Sequence, residues 1–238
     1  MCTVSIHRAA DAFELTMNRD ELRSRAPELP LALHEANGVQ WAAPLDSEAG
    51  GTWIGLNEFG LAACLLNHHP PDWQPNVVEE RPSRGLIIPS VMDCSSAEEA
   101  QQRLASMKDL ARYAPFLLTL VDAQQTLTLC WDERHLECEE KGGEWLLLAS
   151  AGHLTEQAAQ WRGEQFAEWR RQGCPYEGTI PQFHLLNDER HATCSPLLCT
   201  EHSSTRSITQ IEVSESSRVI RYWPIAENRL GNEQQIAL

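Results

Sequence analysis

The stretch MCTVSIHRAADAFELTMNRDEL places the Cys2 thiol directly behind the initiator methionine, and four polar residues, Asn18, Arg19, Asp20 and Glu21, behind an apolar run. Methionine removal is expected when the second residue is small. It would leave a thiol and an α-amine on one residue, and an α-amine with a reference pKa of about 7.7–8.0 can act as general base beside the nucleophile it activates. No separate histidine is then needed. Asp20 can accept a hydrogen bond from the ammonium, and Arg19 can favour the thiolate. The side-chain amide of Asn67 is suited to receive an oxyanion. Against this chemistry stand two plain alternatives: Cys2 as a small buried residue at a strand start, and the polar quartet as a solvated strand end. Residue types and spacing leave both readings open. Strand alternation adds a constraint: on a regular strand Asn18 and Asp20 face one way and Arg19 and Glu21 the other, so either the strand ends or bulges here or only one of these pairs faces the nucleophile.

The elements that must position these groups are mostly short strands. Residues 3–7 and 12–17 read as a hairpin, with Cys2 at the start of its first strand. Residues 22–49, punctuated by Pro27, Pro30, Asn37, Gly38 and Pro44, read as loop with at most one short strand. Residues 52–56 and 61–66 form a second hairpin around residues 57–60, with Gly50 and Gly51 suiting close backbone approach or positive φ, and Pro70 and Pro71 closing it. A helix follows, with Ser95 and Glu98, or Ser96 and Glu99, as a capping box. Ala97, Ala100, Leu104, Met107 and Ala111 carry its apolar period as far as Pro115. Residues 116–121 and 126–131 predict another hairpin, and residues 145–149 a buried strand. Thr155 is the expected cap of a second helix in which Ala158, Trp161, Phe166 and Trp169 share a side, stopped by Gly173. Two last strands are expected at 207–213 and 219–223. Hairpins with two helices and no βαβ alternation predict one α+β domain over residues 1–238, with antiparallel sheets covered by helices.

Composition narrows the function. The chain has 238 residues, 42% of them hydrophobic, and 34 acidic against 19 basic residues give a net charge of -15. The basic residues are scattered singly or in pairs, which argues against a nucleic-acid groove. No apolar run reaches the roughly 18 residues of a membrane span and no signal-like segment opens the chain, so a cytoplasmic protein with reduced cysteines is expected.

Four motifs in this order, MCTVSI, MNRDE, GGTWIGLNEFGLAACLLN and SRGLI, resemble the NRDE family, also called the transport and Golgi organisation protein 2 family. The tetrad from Asn18 to Glu21 is the family's namesake, and the resemblance runs from residue 1 to about 210. It implies an N-terminal nucleophile (Ntn) hydrolase-like fold, an αββα sandwich of two antiparallel sheets between helices. The related cysteine amidases imply Cys2 as nucleophile with its own amine as base, Arg19 and Asp20 as assisting residues, Asn67 as a weaker match, and Arg206 as candidate for a second active-site arginine. Asn187 is a further candidate with an equal claim to a turn. In those amidases the arginine and aspartate are separated by two residues; here they are adjacent. The late segment HSSTRSIT also lacks the tyrosine and glycine of the family's usual YGTRSS.

Metal is set aside, because neither Cys194, Cys199 and His202 nor Cys130, His135 and Cys138 supplies two close-spaced ligand pairs. No cofactor is expected of an amidase. Trp53, with Trp41 and Trp73, falls in segments that can approach the mouth of a site, and Asn18 joins Trp53 as a substrate-binding candidate. Two functions follow. One is an amide hydrolase acting on non-peptide C–N bonds of a small N-acyl compound. The other is a non-catalytic carrier of haem or lipid in the same cleft, for which His68 and His69 would be axial ligands.

Overall fold

The computed structural model describes residues 2–70, 73, 81–150 and 152–238, without the side chains of His153 and Thr155. Pro71, most of the polar loop that follows it, and the capping side chain expected of Thr155 lie outside these residues.

Strands β1 (Cys2–Arg8) and β2 (Phe13–Leu22) form the expected hairpin, and β2 runs unbroken through the polar quartet. Residues 22–49 differ from expectation: they hold β3 (Leu29–Ala36) and β4 (Val39–Leu45). Asn37 and Gly38, at φ 51° and 82°, form the two-residue turn between them. Two consecutive positive φ values match the twist of a tight hairpin, so this Asn-Gly pair joins strands where the prolines around it had suggested loop. The second hairpin is β5 (Ile54–Asn57) and β6 (Ala62–Asn67).

Helix α1 (Ala97–Ala105) opens with the second of the two possible caps. Ser96 Oγ accepts from the Glu99 N–H at 3.2 Å, while Glu99 Oε2 accepts from the Ser95 N–H at 2.8 Å. The helix is shorter than its apolar period predicted. Ser106 Oγ donates to the carbonyls of Gln102 and Arg103, taking up last-turn acceptors, and Met107 and Ala111 lie beyond the helix. Then come β7 (Phe116–Val121), β8 (Thr126–Trp131), an unforeseen edge strand β9 (Leu136–Glu140) with its charged residues in solvent, and β10 (Trp145–Ser150). Helix α2 (Thr155–Arg171) follows, then the short β11 (Tyr176–Glu177) and β12 (Ile180–Pro181). The chain closes with β13 (Ser203–Ser214), β14 (Ser217–Ala226), β15 (Arg229–Leu230) and β16 (Gln234–Ala237).

Apart from the β11–β12 pair, these strands make two antiparallel sheets. One has the order β10-β1-β2-β13-β14, with β15 and β16 both pairing β14; the other runs β3 to β9 in sequence order. Val4, Ile6, Leu15 and Met17 of the first sheet pack with Ile54, Leu56, Cys64 and Leu66 of the second, all at most 1% exposed. Outside the first sheet, Phe166 and Trp169 of α2 close on Trp145 and Leu147 of β10 together with Phe183. Outside the second, Ala97, Ala100 and Leu104 of α1 close on β7 and β8. The result is helix, sheet, sheet, helix, as an α+β chain with hairpins and few helices requires. Because α2 and the segment from Ile180 to Leu198 cover it, the outer face of β1 and β2 is also buried, and that face is polar: Thr3, Ser5, Thr16 and Asn18.

Candidate active site

Cys2 is the first residue of β1, flanked by β10 through Ser150 and by β2 through Arg19. Its side chain shares the inward face with Val4 and Ile6 and packs against the core between the sheets. A cavity of about 170 Å³ opens beside it, lined among others by Arg19, Asp20, Trp53, Asn67 and Arg84. Ser150 Oγ donates to the Asn67 carbonyl at 2.5 Å, tying the two sheets together at the cavity's edge. Two glycines set the cavity wall. A Cβ on Gly51 would lie 2.5 Å from the Gly85 carbonyl carbon, and the Thr52 N–H donates to the Gly85 carbonyl at 2.9 Å. The GG and SRG motifs therefore mark one backbone crossing, which only residues without side chains allow.

The polar quartet is divided by its strand. Asn18 and Asp20 face α2. Asn18 Nδ2 donates to the carbonyls of His184 and Pro196 at 2.9 and 2.8 Å, and its Oδ1 accepts from His184 Nδ1. That fixes the neutral tautomer of His184, whose Nε2 accepts from Ser5 Oγ at 2.7 Å. Burial, with Arg162 adding to it, pushes the His184 pKa down to about 3. Asp20 borders the cavity, but its carboxylate is buried and accepts from Thr205 Oγ1 at 2.6 Å. Burial raises the Asp20 pKa to about 6, against the attraction of Arg162.

Arg19 and Glu21 face the other way. The Arg19 guanidinium lies 4.2 Å over the Trp53 ring and pairs with Asp46 at 3.2 Å, Glu21 at 3.5 Å and Glu28 at 3.6 Å. Strand β2 keeps its regular register with β1 through this stretch, and the irregularity falls on β13, between Thr205 and Ser207. The extra residue there is Arg206. As a β-bulge it projects away from the Cys2 cavity toward a separate hollow, with Nε 3.9 Å from Glu28.

Arg162 went unrecognised in the sequence, where charged residues were assigned to the solvent side of α2. It is fully buried, donating from Nε to the Cys194 carbonyl at 2.8 Å, from Nη1 to the Cys2 carbonyl at 3.2 Å and from Nη2 to the Ser195 carbonyl at 3.2 Å. Nη2 also lies 3.8 Å from Asp20 Oδ2. The signal was present: positions 158, 162, 166 and 169 form one helical stripe, and an arginine inside an apolar stripe needs buried acceptors. Trp161, expected on that stripe, instead stacks on His191 at the half-buried flank.

The thiol is held in its protonated form. Burial pushes the Cys2 pKa up and Asp20 adds to this, with Arg19 acting the other way. Of the remaining candidates, Asn187 donates to the Leu197 carbonyl at 2.7 Å as a loop fastening, the His68 N–H donates to the Pro115 carbonyl, and the His69 and Trp73 rings are 6.1 Å apart. Trp41 is core. Among the described residues, no three His, Cys, Asp or Glu side chains gather as a metal site.

Two stacked antiparallel sheets between helices, with a cysteine at the head of a central strand, define the Ntn-hydrolase fold class, and solved structures agree. An N-acylethanolamine-hydrolyzing acid amidase ortholog from Caenorhabditis elegans superposes with a TM-score of 0.56 at 10% identity, over 88% of this chain and 92% of that one. A mutant conjugated bile acid hydrolase from Clostridium perfringens gives 0.55 at 12% identity, over 100% and 92%. No curated protein matches the chain. The family model "Transport and Golgi organisation 2" matches residues 1–223, and the chain belongs to that family. No helix among the described residues is long and apolar enough to cross a membrane.

Proposed function

We propose that the protein is an amide hydrolase that uses Cys2, freed of Met1, on non-peptide C–N bonds of small N-acyl compounds. The observation that carries this reading is the shared cavity: the thiol, the Arg19 guanidinium, the border of Asp20 and Asn67 surround one space. Both superposed structures are of hydrolases, one of N-acylethanolamines and one of conjugated bile acids, which supports a C–N bond as the target.

In this mechanism the α-amine takes the Sγ proton and the thiolate adds to the substrate carbonyl carbon. The carbonyl π pair moves to oxygen, where the Asn67 amide of the cavity lining is the candidate donor, a contribution of about 10²–10³ in rate for such a group. Collapse breaks the C–N bond, and the ammonium protonates the leaving amine. Water, deprotonated by the same α-amine, then adds to the thioester; the C–S bond breaks, giving a carboxylic acid and the restored thiol. Arg162, bonded to the Cys2 carbonyl, holds the nucleophile's backbone, and Asp20 accepts the terminal ammonium.

Carriage of haem or lipid in the same cleft finds less support. The cavity is smaller than the about 300–1,000 Å³ of a drug-sized site, and its lining is mostly polar and charged. Intact-mass analysis tests the premise: protein from its own cell is expected to lack Met1, and retention of the methionine would end this mechanism. Cys2→Ala is expected to abolish turnover of N-acyl amino acids, and undiminished turnover would remove Cys2 as nucleophile.

A further inference from the structure

The arginines near the thiol are not equivalent. Arg19 and Arg25 in the cavity, with Arg206 at the neighbouring hollow, meet four carboxylates: Asp46 and Glu21 each pair with both Arg19 and Arg25, Glu28 pairs with Arg19 and Arg206, and Glu48 pairs with Arg25. Arg162 is matched by Asp20. Among the described residues, Arg84 is the cavity-lining cation without an ion pair. It lines the cavity, half-buried, and no carboxylate among the described residues lies within ion-pair distance of it. Nη1 donates to the Pro115 carbonyl at 3.0 Å, which anchors the side chain from behind.

Its backbone is held as firmly. Arg84 sits in the tight turn Arg84–Leu86, whose preceding Ser83 Oγ accepts from the Gly85 N–H at 3.3 Å, and Gly85 is pressed against Gly51 at the crossing. A partly buried guanidinium with no carboxylate in ion-pair contact is costly, and an anion entering the cavity would relieve that cost. Arg84 and Cys2 line the same cavity, so the guanidinium and the reacting atom share one space. Burial lowers the Arg84 pKa, with Cys2 and Glu21 acting the other way.

We infer that Arg84 receives a carboxylate of the substrate, so that the amide cleaved by this protein is a small N-acyl compound bearing a carboxylate close to its scissile bond. This rests on the amidase reading and names its substrate class. The carboxylate can belong to the leaving amine, as in an N-acyl amino acid, or to the acyl part, as in a succinamic acid. Either delivers the same anion to the same guanidinium, and the bidentate geometry of arginine suits both.

The test compares acid and neutral members of matched pairs: N-acetylalanine with N-acetylalaninamide for the amine side, and succinamic acid with succinamide for the acyl side. With the Met1-free wild type, kcat/KM is expected to favour the acid by about 10²-fold or more in one pair, which assigns the side. In Arg84→Met that ratio is expected to collapse toward unity, mainly through KM, and in Arg84→Lys to recover in part. Because it is a ratio, a general loss of folded enzyme does not move it. Binding of the acids to Cys2→Ala, with and without Arg84→Met, is measured by calorimetry alongside. Wild-type turnover without preference for the acids would overturn the role of Arg84 and leave the amidase standing. Arg84-dependent binding without any turnover would uphold Arg84 and overturn the amidase. Absence of acid binding to Cys2→Ala would overturn the inference.

Discussion

Replacing Arg162 by Met removes the cation that faces Asp20 from α2 and takes a donor from three backbone carbonyls, those of Cys2, Cys194 and Ser195. The consequences separate by pH. Losing donors to buried carbonyls costs about 1–3 kcal/mol at any pH. The Asp20 part titrates. Its folded pKa of about 6 already exceeds the unfolded value near 3.8, because burial opposes its charge and Arg162 offsets only part of this. A carboxyl raised on folding is stabilising when protonated, so its penalty grows as pH rises from the unfolded to the folded pKa and is constant above. Without Arg162 the folded pKa rises further. Each added unit costs about 1.4 kcal/mol at pH 8 and nothing at pH 5, where the carboxyl is protonated in both folded proteins. The deficit of Arg162→Met at pH 8 is expected at about 3–5 kcal/mol, the range for breaking a buried pair from one side. At pH 5 it shrinks toward the carbonyl part alone. Urea unfolding of wild type and variant at both pH values measures it, and adding Asp20→Asn is expected to erase the pH-dependent part. A deficit below about 1 kcal/mol at pH 8, or an equal one at both pH values, would refute the reasoning.

Gly51→Ala places a methyl 2.5 Å from the Gly85 carbonyl carbon, and a loss of about 1–3 kcal/mol in unfolding free energy is expected; a melting temperature equal to wild type would show that the crossing can spread. His184, held neutral with a pKa near 3, favours the fold fully above about pH 6.5 and loses that favour as pH falls toward 3, by about 1.4 kcal/mol per unit. His184→Gln is therefore expected to close its stability gap to wild type between pH 6.5 and 4, and a gap constant across that window, followed by urea titration, would contradict the neutral tautomer. Trp169→Ala, in the ring cluster with Trp145 and Phe166 at 5.3 and 5.4 Å, is expected to cost about 3–5 kcal/mol while leaving the two sheets' circular-dichroism signature in place.

The hairpins and the layer order were legible because inward-facing residues such as Val4, Ile6, Leu15 and Met17 recur with the period of a strand. Residues 29–45 were not, since prolines masked an Asn-Gly turn whose conformation joins strands. At the site, local sequence reaches what one strand carries: it places Cys2 at the head of the hairpin that bears the quartet and leaves two outcomes, a split of Asn18 and Asp20 from Arg19 and Glu21 or an irregular strand. It could not tell that the irregularity lies in the partner strand at Arg206, since that depends on register across nearly two hundred residues. Arg162 was hidden differently. A charge on a helix reads as solvent-facing until the acceptors that need it, here carbonyls of residues 2, 194 and 195, are brought to the same spot by the fold.

The division of β2 into two faces bears on how this protein could change its trade. Position 18 fastens the segment that covers the outer face and position 20 meets Thr205 and Arg162 there, while positions 19 and 21 belong to the charge balance beside the thiol. A mutant library that varies 19, 21 and 84 together, holding 18 and 20 fixed, would sample new appetites on an intact frame. Randomising the whole quartet would spend most of its members on chains that never assemble, so neighbours in the sequence are here distant in evolutionary freedom.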